Sequence, residues 1–278
     1  MMESLLAALM AGIGSVWIAA AVSVLGAGKS ISTFHTQPGL HDLASLAVGA
    51  LLAAVFVDLL PEAFNREAAE RELFASLLSA IVFLFLVDRA QLQHYGLGRW
   101  QDYERSRAHC PGDRPPQPPP WVRQRGCGSR GRVGHLLLEG FHAFCGGVVI
   151  ASAFAANSRI GWISACAVLA QNVHHYLESL DVARRFPTSR GSLIATASLG
   201  ATAAPLGAVA CWGLVERFEG ALPFLLAVAS GTLIYVAVTG LIPRLQQRLD
   251  TRGTLRQIAW LSGGIACVTA FSLVVQHH

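Results

Sequence analysis

Long apolar runs alternate with short polar segments along almost the whole chain. The runs cover residues 4–26, 40–60, 73–92, 134–156, 160–182, 191–215, 221–242 and 255–275. Each is about as long as the roughly 20 helical residues that cross the hydrocarbon core of a bilayer. Strand-length stretches of alternating polar and apolar residues are absent from the sequence. The pattern predicts an all-α membrane bundle of eight transmembrane helices, forming a single domain over residues 1–278.

Prolines mark the predicted ends of two helices and an interruption in a third. Pro61 closes the second run and Pro243 closes the seventh, as expected for a residue that terminates helices. The sixth run contains Pro205 followed by Gly207, which predicts a kink. The first run lacks a basic segment before it and a clear cleavage site, so we interpret it as a retained helix rather than a signal peptide.

The composition supports a membrane protein and argues against a nucleic-acid partner. Of the 278 residues, 53% are hydrophobic and only 14% are charged, whereas a soluble domain carries about 25% charged residues. The net charge of +4 comes from arginines in the short loops between apolar runs, which is a topology signal. We therefore expect the lipid bilayer as a partner and no nucleic acid.

Basic residues alternate between loops and so predict the orientation. Alternate loops hold 17 of the 21 Lys and Arg residues and should be cytoplasmic by the positive-inside rule, which places both termini outside. The cytoplasmic loop at about 94–133 is rich in proline and arginine and should be flexible. It serves either as a solvated tether, which we favour, or as a metal sensor or anionic-lipid contact. We expect a multi-pass protein of the cell membrane, specifically the bacterial inner membrane.

Ionisable residues interrupt the fourth and fifth apolar runs, where they are energetically costly and mark a functional site. At 100° per residue they form one polar stripe on each helix. The stripes are His135, Glu139, His142 and Gly146 on the fourth helix, and His174, Glu178 and Asp181, with His175 to one side, on the fifth. Imidazole and carboxylate ligands suit Zn²⁺ and related divalent ions. The sequence therefore predicts a metal site between these two helices.

Several of these residues have a second interpretation. A single intramembrane histidine is often only hydrogen-bonded to a neighbouring helix. His135 and Asp181 lie near the cytoplasmic ends, where a solvated role fits equally well. Asp58 and Glu62 close the second run and either line an outer vestibule or sit at the interface. We treat these four residues as a candidate ion pathway.

At these positions the sequence resembles the ZIP family of metal permeases. That family carries an H-N-x-x-[D/E]-G type motif in its fourth span and an H-E-x-P-x-E or H-x-x-x-E type motif in its fifth. The counterparts here are HAFCGG at 142–147 and HHYLE at 174–178. Segments 46–63, 204–210 and 227–245 are similar to the family's second, sixth and seventh spans. The resemblance thus covers all eight spans and the long loop.

The resemblance implies an inward-directed permease in which one helix bundle shifts against the other around the metal. It implies a metal site built from His142, His174 and Glu178, with His175 and Glu139 beside them. The positions that usually supply a second metal are Ala143, Gly146 and Ala204. None has a coordinating side chain, so the second site should be lost except for His175.

The favoured function is transport of a divalent transition metal into the cytoplasm. The ion is zinc-like, with iron, manganese, cadmium and cobalt as further options, and is a substrate rather than a cofactor. The alternative is an intramembrane zinc-dependent hydrolase, since three protein ligands and an open fourth position are what such enzymes need. No general base is obvious beside the stripe, although Glu139 could serve, so we expect a transporter and not an enzyme. The sequence leaves open whether the protein forms a homodimer.

The orientation can be tested with cysteine labels in a background without Cys110 and Cys127. Because arginines alternate between loops, Pro120→Cys should react with an impermeant thiol reagent only from the cytoplasmic side. Ala68→Cys should react only from outside. Labelling of intact and inside-out vesicles measures both, and reversed accessibility at both positions would refute the orientation.

Overall fold

The computed structural model describes residues 1–25, 38–66, 68–95, 129–184, 190–218, 220–241 and 251–276. All regular structure within these ranges is helical and follows the apolar runs, which confirms the all-α class. We number the helical segments α1 (Met2–Leu9, Met10–Gly14, Ser15–Leu25), α2 (Pro38–Ala53, Ala54–Leu59, Leu60–Phe64), α3 (Glu70–Tyr95), α4 (Ser129–Ala156), α5 (Ser158–Arg184), α6 (Arg190–Ala201, Ala203–Arg217), α7 (Ala221–Val236, Ala237–Leu241) and α8 (Thr251–Gln276).

Seven helices in the described part of the chain are long and apolar enough to cross a bilayer. The remaining long helix, α5, has 27 residues, which is sufficient length for a span. Its second half is less apolar because it carries Gln171, the two adjacent histidines, Glu178 and Asp181. The structure therefore supports a polytopic helical bundle, while an eighth span through α5 and the positions of the termini stay predictions. The predicted loop falls mainly on residues 96–128, which lie outside the described residues.

The sixth apolar run is interrupted as its proline predicts. The helical backbone of α6 breaks at Thr202, three residues before Pro205. Proline has no N–H, so the carbonyl of Ala201 loses its usual partner in the next turn. Both the backbone N–H and the hydroxyl of Thr202 donate to the carbonyl of Leu199, at 3.3 and 2.6 Å. The helix is interrupted just before the proline at which the kink is predicted.

Glycines allow the closest helix approach, between α4 and α6. A Cβ added to Gly147 would overlap the backbone of Ala204, and one added to Gly207 would overlap the carbonyl oxygen of Phe144. Helices in a bilayer gain little from burying apolar surface against one another, so close van der Waals packing of small residues stabilises their association. These two glycines fix α6 against the helix that carries His142.

The same type of contact joins two other helix pairs and divides the bundle into two groups. Gly49 of α2 meets the backbone of Leu261 in α8, and Gly231 of α7 lies against the carbonyl of Leu77 in α3. Helices α1, α4, α5 and α6 pack with one another, as do α2, α3, α7 and α8. The groups meet where α2 packs on α5 and α7 packs on α4. The polar stripes of α4 and α5 therefore lie in one group, close to its junction with the other.

Two alanine substitutions in the same helix test the glycine contacts. Gly207→Ala should lower the apparent melting temperature, because the new methyl overlaps the Phe144 carbonyl. Gly213→Ala is the matched control, since no atom lies within 4 Å of a Cβ there. Alanine favours a helix over glycine by about 1 kcal/mol, so this variant should melt at the same or a higher temperature. Thermal unfolding of detergent-purified protein measures both, and equal destabilisation would contradict the packing.

Candidate metal site

Four polar side chains from α4 and α5 meet between these helices, and the His175 side chain is 39% exposed. Glu139 of α4 is only 2% exposed, and its Oε1 lies 3.0 Å from Nε2 of His175 on α5. Nε2 of His142 on α4 lies 3.1 Å from Nε2 of Gln171 on α5. The two imidazole rings are tilted, with centroids 5.6 Å apart. We call Glu139, His142, Gln171 and His175 the α4–α5 cluster.

Helical spacing brings the cluster together. Glu139 and His142 are three residues apart, and Gln171 and His175 are four apart, so each pair occupies one helix face. The cluster is backed by Gly200 of α6, where an added Cβ would come within 2.8 Å of the Cβ of Glu139. Only glycine at this position lets α6 approach the Cβ of Glu139 and the adjacent backbone of α4 so closely.

The hydrogen bond to Glu139 comes from His175. The Tyr176 ring packs edge-on against the His175 imidazole, with the two ring centroids 5.4 Å apart. When His175 donates its Nε2–H to the carboxylate, its Nδ1 is the ring nitrogen that carries the lone pair. The carboxylate thereby selects the tautomer of a potential ligand.

A small cavity of about 20 Å³ adjoins His142. It lies between α4, α5 and α7, and its polar lining comprises His142, Cys145, Gln171, Asn172 and Thr232. This volume is close to what one water molecule needs. A single small ion with few ligands would fit; a substrate the size of a peptide would not.

The remaining predicted ligands lie elsewhere or cannot be described. His174 is 4% exposed and buried, but α5 turns by about 100° between it and His175. The side chains of Glu178, Asp181 and His135 lie outside the described residues. Among the described side chains, no group of three or more His, Cys, Asp and Glu residues lies close enough to hold a metal. The ligand set therefore stays a prediction.

The predicted pathway residues of α2 occupy two different environments. Asp58 is 5% exposed and accepts a hydrogen bond from the hydroxyl of Ser272 in α8. Nη1 of Arg159 in α5 donates to the carbonyl of Ser272 at 2.8 Å, and its charge acts on Asp58. Asp58 thus links α2 to α8 and α5. Glu62, in contrast, forms a local 2.6 Å ion pair with Arg66.

Two adjacent amide side chains, which were not among the predicted site residues, lie beside the predicted ligands. Gln171 contacts His142 directly, and Nδ2 of the neighbouring Asn172 donates to the carbonyl of Ala11 in α1 at 2.8 Å. Two adjacent amides in an apolar helix indicate buried hydrogen-bond partners. Neither amide carries a charge, and the predicted site comprises only ionisable residues.

These observations define a multi-span α-helical membrane protein with a histidine–carboxylate cluster inside its bundle. No protein-family model matches the chain. It is 24% identical to the human (Homo sapiens) protein named Zinc transporter ZIP13, over 98% of this chain and 81% of that protein. The mouse (Mus musculus) and orang-utan (Pongo abelii) proteins of the same name are 24% and 22% identical, again over 98% of this chain and over 81% and 78% of their own lengths. Similarity along nearly the whole chain supports a divergent member of the ZIP family.

Proposed function

We propose that the protein carries a divalent transition metal ion, with zinc as the first candidate, into the cytoplasm through the α4–α5 cluster. The observation that carries the proposal is the meeting of His142, His175 and Glu139 inside membrane helices, beside a cavity of ionic size. Imidazole nitrogen suits zinc, iron and cobalt alike, and the relatives named zinc transporters favour zinc among them. The metal is the substrate, and the mechanism needs no cofactor.

Each member of the cluster has a role that follows from its contacts. His142 and His175 would supply imidazole nitrogens from facing helices. Glu139 would orient His175 and balance part of the ion's charge, as outer carboxylates do for metal-bound histidines. The side-chain amide of Gln171 donates to the lone pair on Nε2 of His142. An arriving ion would displace the amide of Gln171. Because all four groups come from one chain, transport does not require a homodimer.

His174 and Glu178 remain an alternative ligand pair with His142. They are four residues apart and therefore share a face of α5. At about 100° per residue, Glu178 lies about 20° and His174 about 60° from Gln171, so this pair adjoins the face on which Gln171 and His175 meet α4. The two ligand sets use different side chains of α5, so substitutions in α5 distinguish them.

The proposed route follows the junction between the two helix groups. Asp58 and Glu62 belong to the predicted outer end of α2, the cavity and cluster come next, and His135 and Asp181 belong to the predicted cytoplasmic ends of α4 and α5. Inward direction rests on the family resemblance and the arginine distribution. We place the protein in a cell membrane; the matched relatives give no support for the bacterial inner membrane in particular. A hydrolase is not favoured, because the relatives are named as transporters.

Substitutions of the cluster test the function and separate the ligand sets. His142→Ala, His175→Ala and Glu139→Gln should each lower zinc uptake into proteoliposomes by about tenfold or more. Ala143→Ser is the control and should be mild, because alanine has no ligand to lose. If His174→Ala and Glu178→Ala abolish uptake while His175→Ala does not, the alternative pair binds the ion. Wild-type uptake in all of these variants would refute the function.

Histidine ligands also predict a pH dependence. Neutral imidazole binds metal and imidazolium does not. The pKa of an unperturbed histidine is about 6.5. Zinc affinity should therefore be higher at about pH 7.5 than at about pH 5.5, because protons compete for the same lone pairs. Calorimetric titration of purified protein measures affinity and stoichiometry together. One tight ion per chain is expected; two would reveal a second site despite Ala143, Gly146 and Ala204, and equal affinity at both pH values would exclude histidines as main ligands.

A further inference from the structure

Cys145 lies one helical turn beyond His142 on α4, and both residues line the cavity. The other α4 residues in the lining, Gly146 and Val149, have no coordinating side chain. On this wall the cavity therefore offers two potential ligands, an imidazole and a thiol. Sulfur is the softer of the two donors.

The opposite wall supplies a fixed oxygen. Asn172 is 4% exposed, and its Nδ2 is held by the carbonyl of Ala11 in α1. Its Oδ1 is buried and has no hydrogen-bond partner within the described residues, although the side chain also interacts with His142. A buried amide oxygen without a partner is destabilising, because it has lost its hydrogen bonds to water. Its presence in the lining of a cavity points to an ion or water that it would bind.

The other cysteines of the described residues have different surroundings. Cys211 is fully buried in the apolar core between α6 and its neighbours. Cys166 and Cys267 are exposed on the outside of the bundle. Cys145 is half-buried and is the one among these four that lines the cavity beside His142. Cys211 therefore fits the role of a small apolar core residue better than Cys145 does.

We propose that Cys145 is a specificity-determining ligand, which with His142 and the amide oxygen of Asn172 forms a nitrogen–sulfur–oxygen position in the cavity. This proposal rests on the transport function and adds a preference among metals. A thiolate favours soft ions such as Cd²⁺ and Zn²⁺ over hard Mn²⁺. As the metal–sulfur bond forms, the S–H bond breaks and its proton is released to water in the pathway.

Competitive uptake of Cd²⁺, Zn²⁺ and Mn²⁺ into proteoliposomes tests the preference. Cys145→Ala and Cys145→Ser should lower the ratio of Cd²⁺ to Mn²⁺ uptake by about tenfold, since loss of one contributing group changes metal affinity on this scale. Cys145→Asp, which replaces sulfur with oxygen, should shift the ratio further toward Mn²⁺. Cys211→Ala and Cys267→Ala are matched controls and should keep the wild-type ratio.

A direct readout comes from titrating purified protein with Cd²⁺ and recording the ultraviolet absorption of the metal–thiolate bond. Wild type and the two control variants should show the band, and Cys145→Ala should not. No band in wild type, or an unchanged uptake ratio in Cys145→Ser, would overturn the proposal. If His142→Ala still abolishes uptake in that case, the transport function stands and only the role of Cys145 is wrong. If His142→Ala transports normally, the transport site itself is wrong.

Discussion

The burial of the Glu139 carboxylate constrains the rest of this bundle. A carboxylate inside membrane helices is stable only with hydrogen-bond donors or a cation beside it, and here His175 of α5 lies within hydrogen-bond distance of it. That requirement is met only when the side of α5 that carries His175 faces α4. Gly200 allows α6 to approach the Cβ of Glu139 and the backbone of α4, so three helices come together around this residue.

The same contact links stability to ion binding. His175 pairs with Glu139 in the structure, and the neutral amide of Gln171 contacts Nε2 of His142. In the proposed site an arriving ion would displace this amide, and no buried charge would lose its partner.

Much of the fold could be predicted from the sequence, because in a bilayer each span must satisfy its own backbone hydrogen bonds and so appears as a long apolar run. Glu139, His142 and His175 could be selected because charge is costly in such a run. The position of His174 relative to α4 could not be predicted. A helical wheel gives the angles between residues of α5, but its rotation relative to α4 is set by Tyr176, Leu177 and Leu180, which pack against α1 and α6. Uncharged Gln171 carried too weak a signal to be selected.

The glycines at the α4–α6 contact also bear on how this sequence can vary. At Gly147 and Gly207 the neighbouring backbone occupies the space that any side chain would need, and every possible replacement is larger than glycine. Cys145, two residues before Gly147, lines the cavity of about 20 Å³ and can be exchanged for side chains close to its own size. Inherited variation in ion preference can therefore accumulate at the cavity wall, while the two positions that bear no side chain admit almost none.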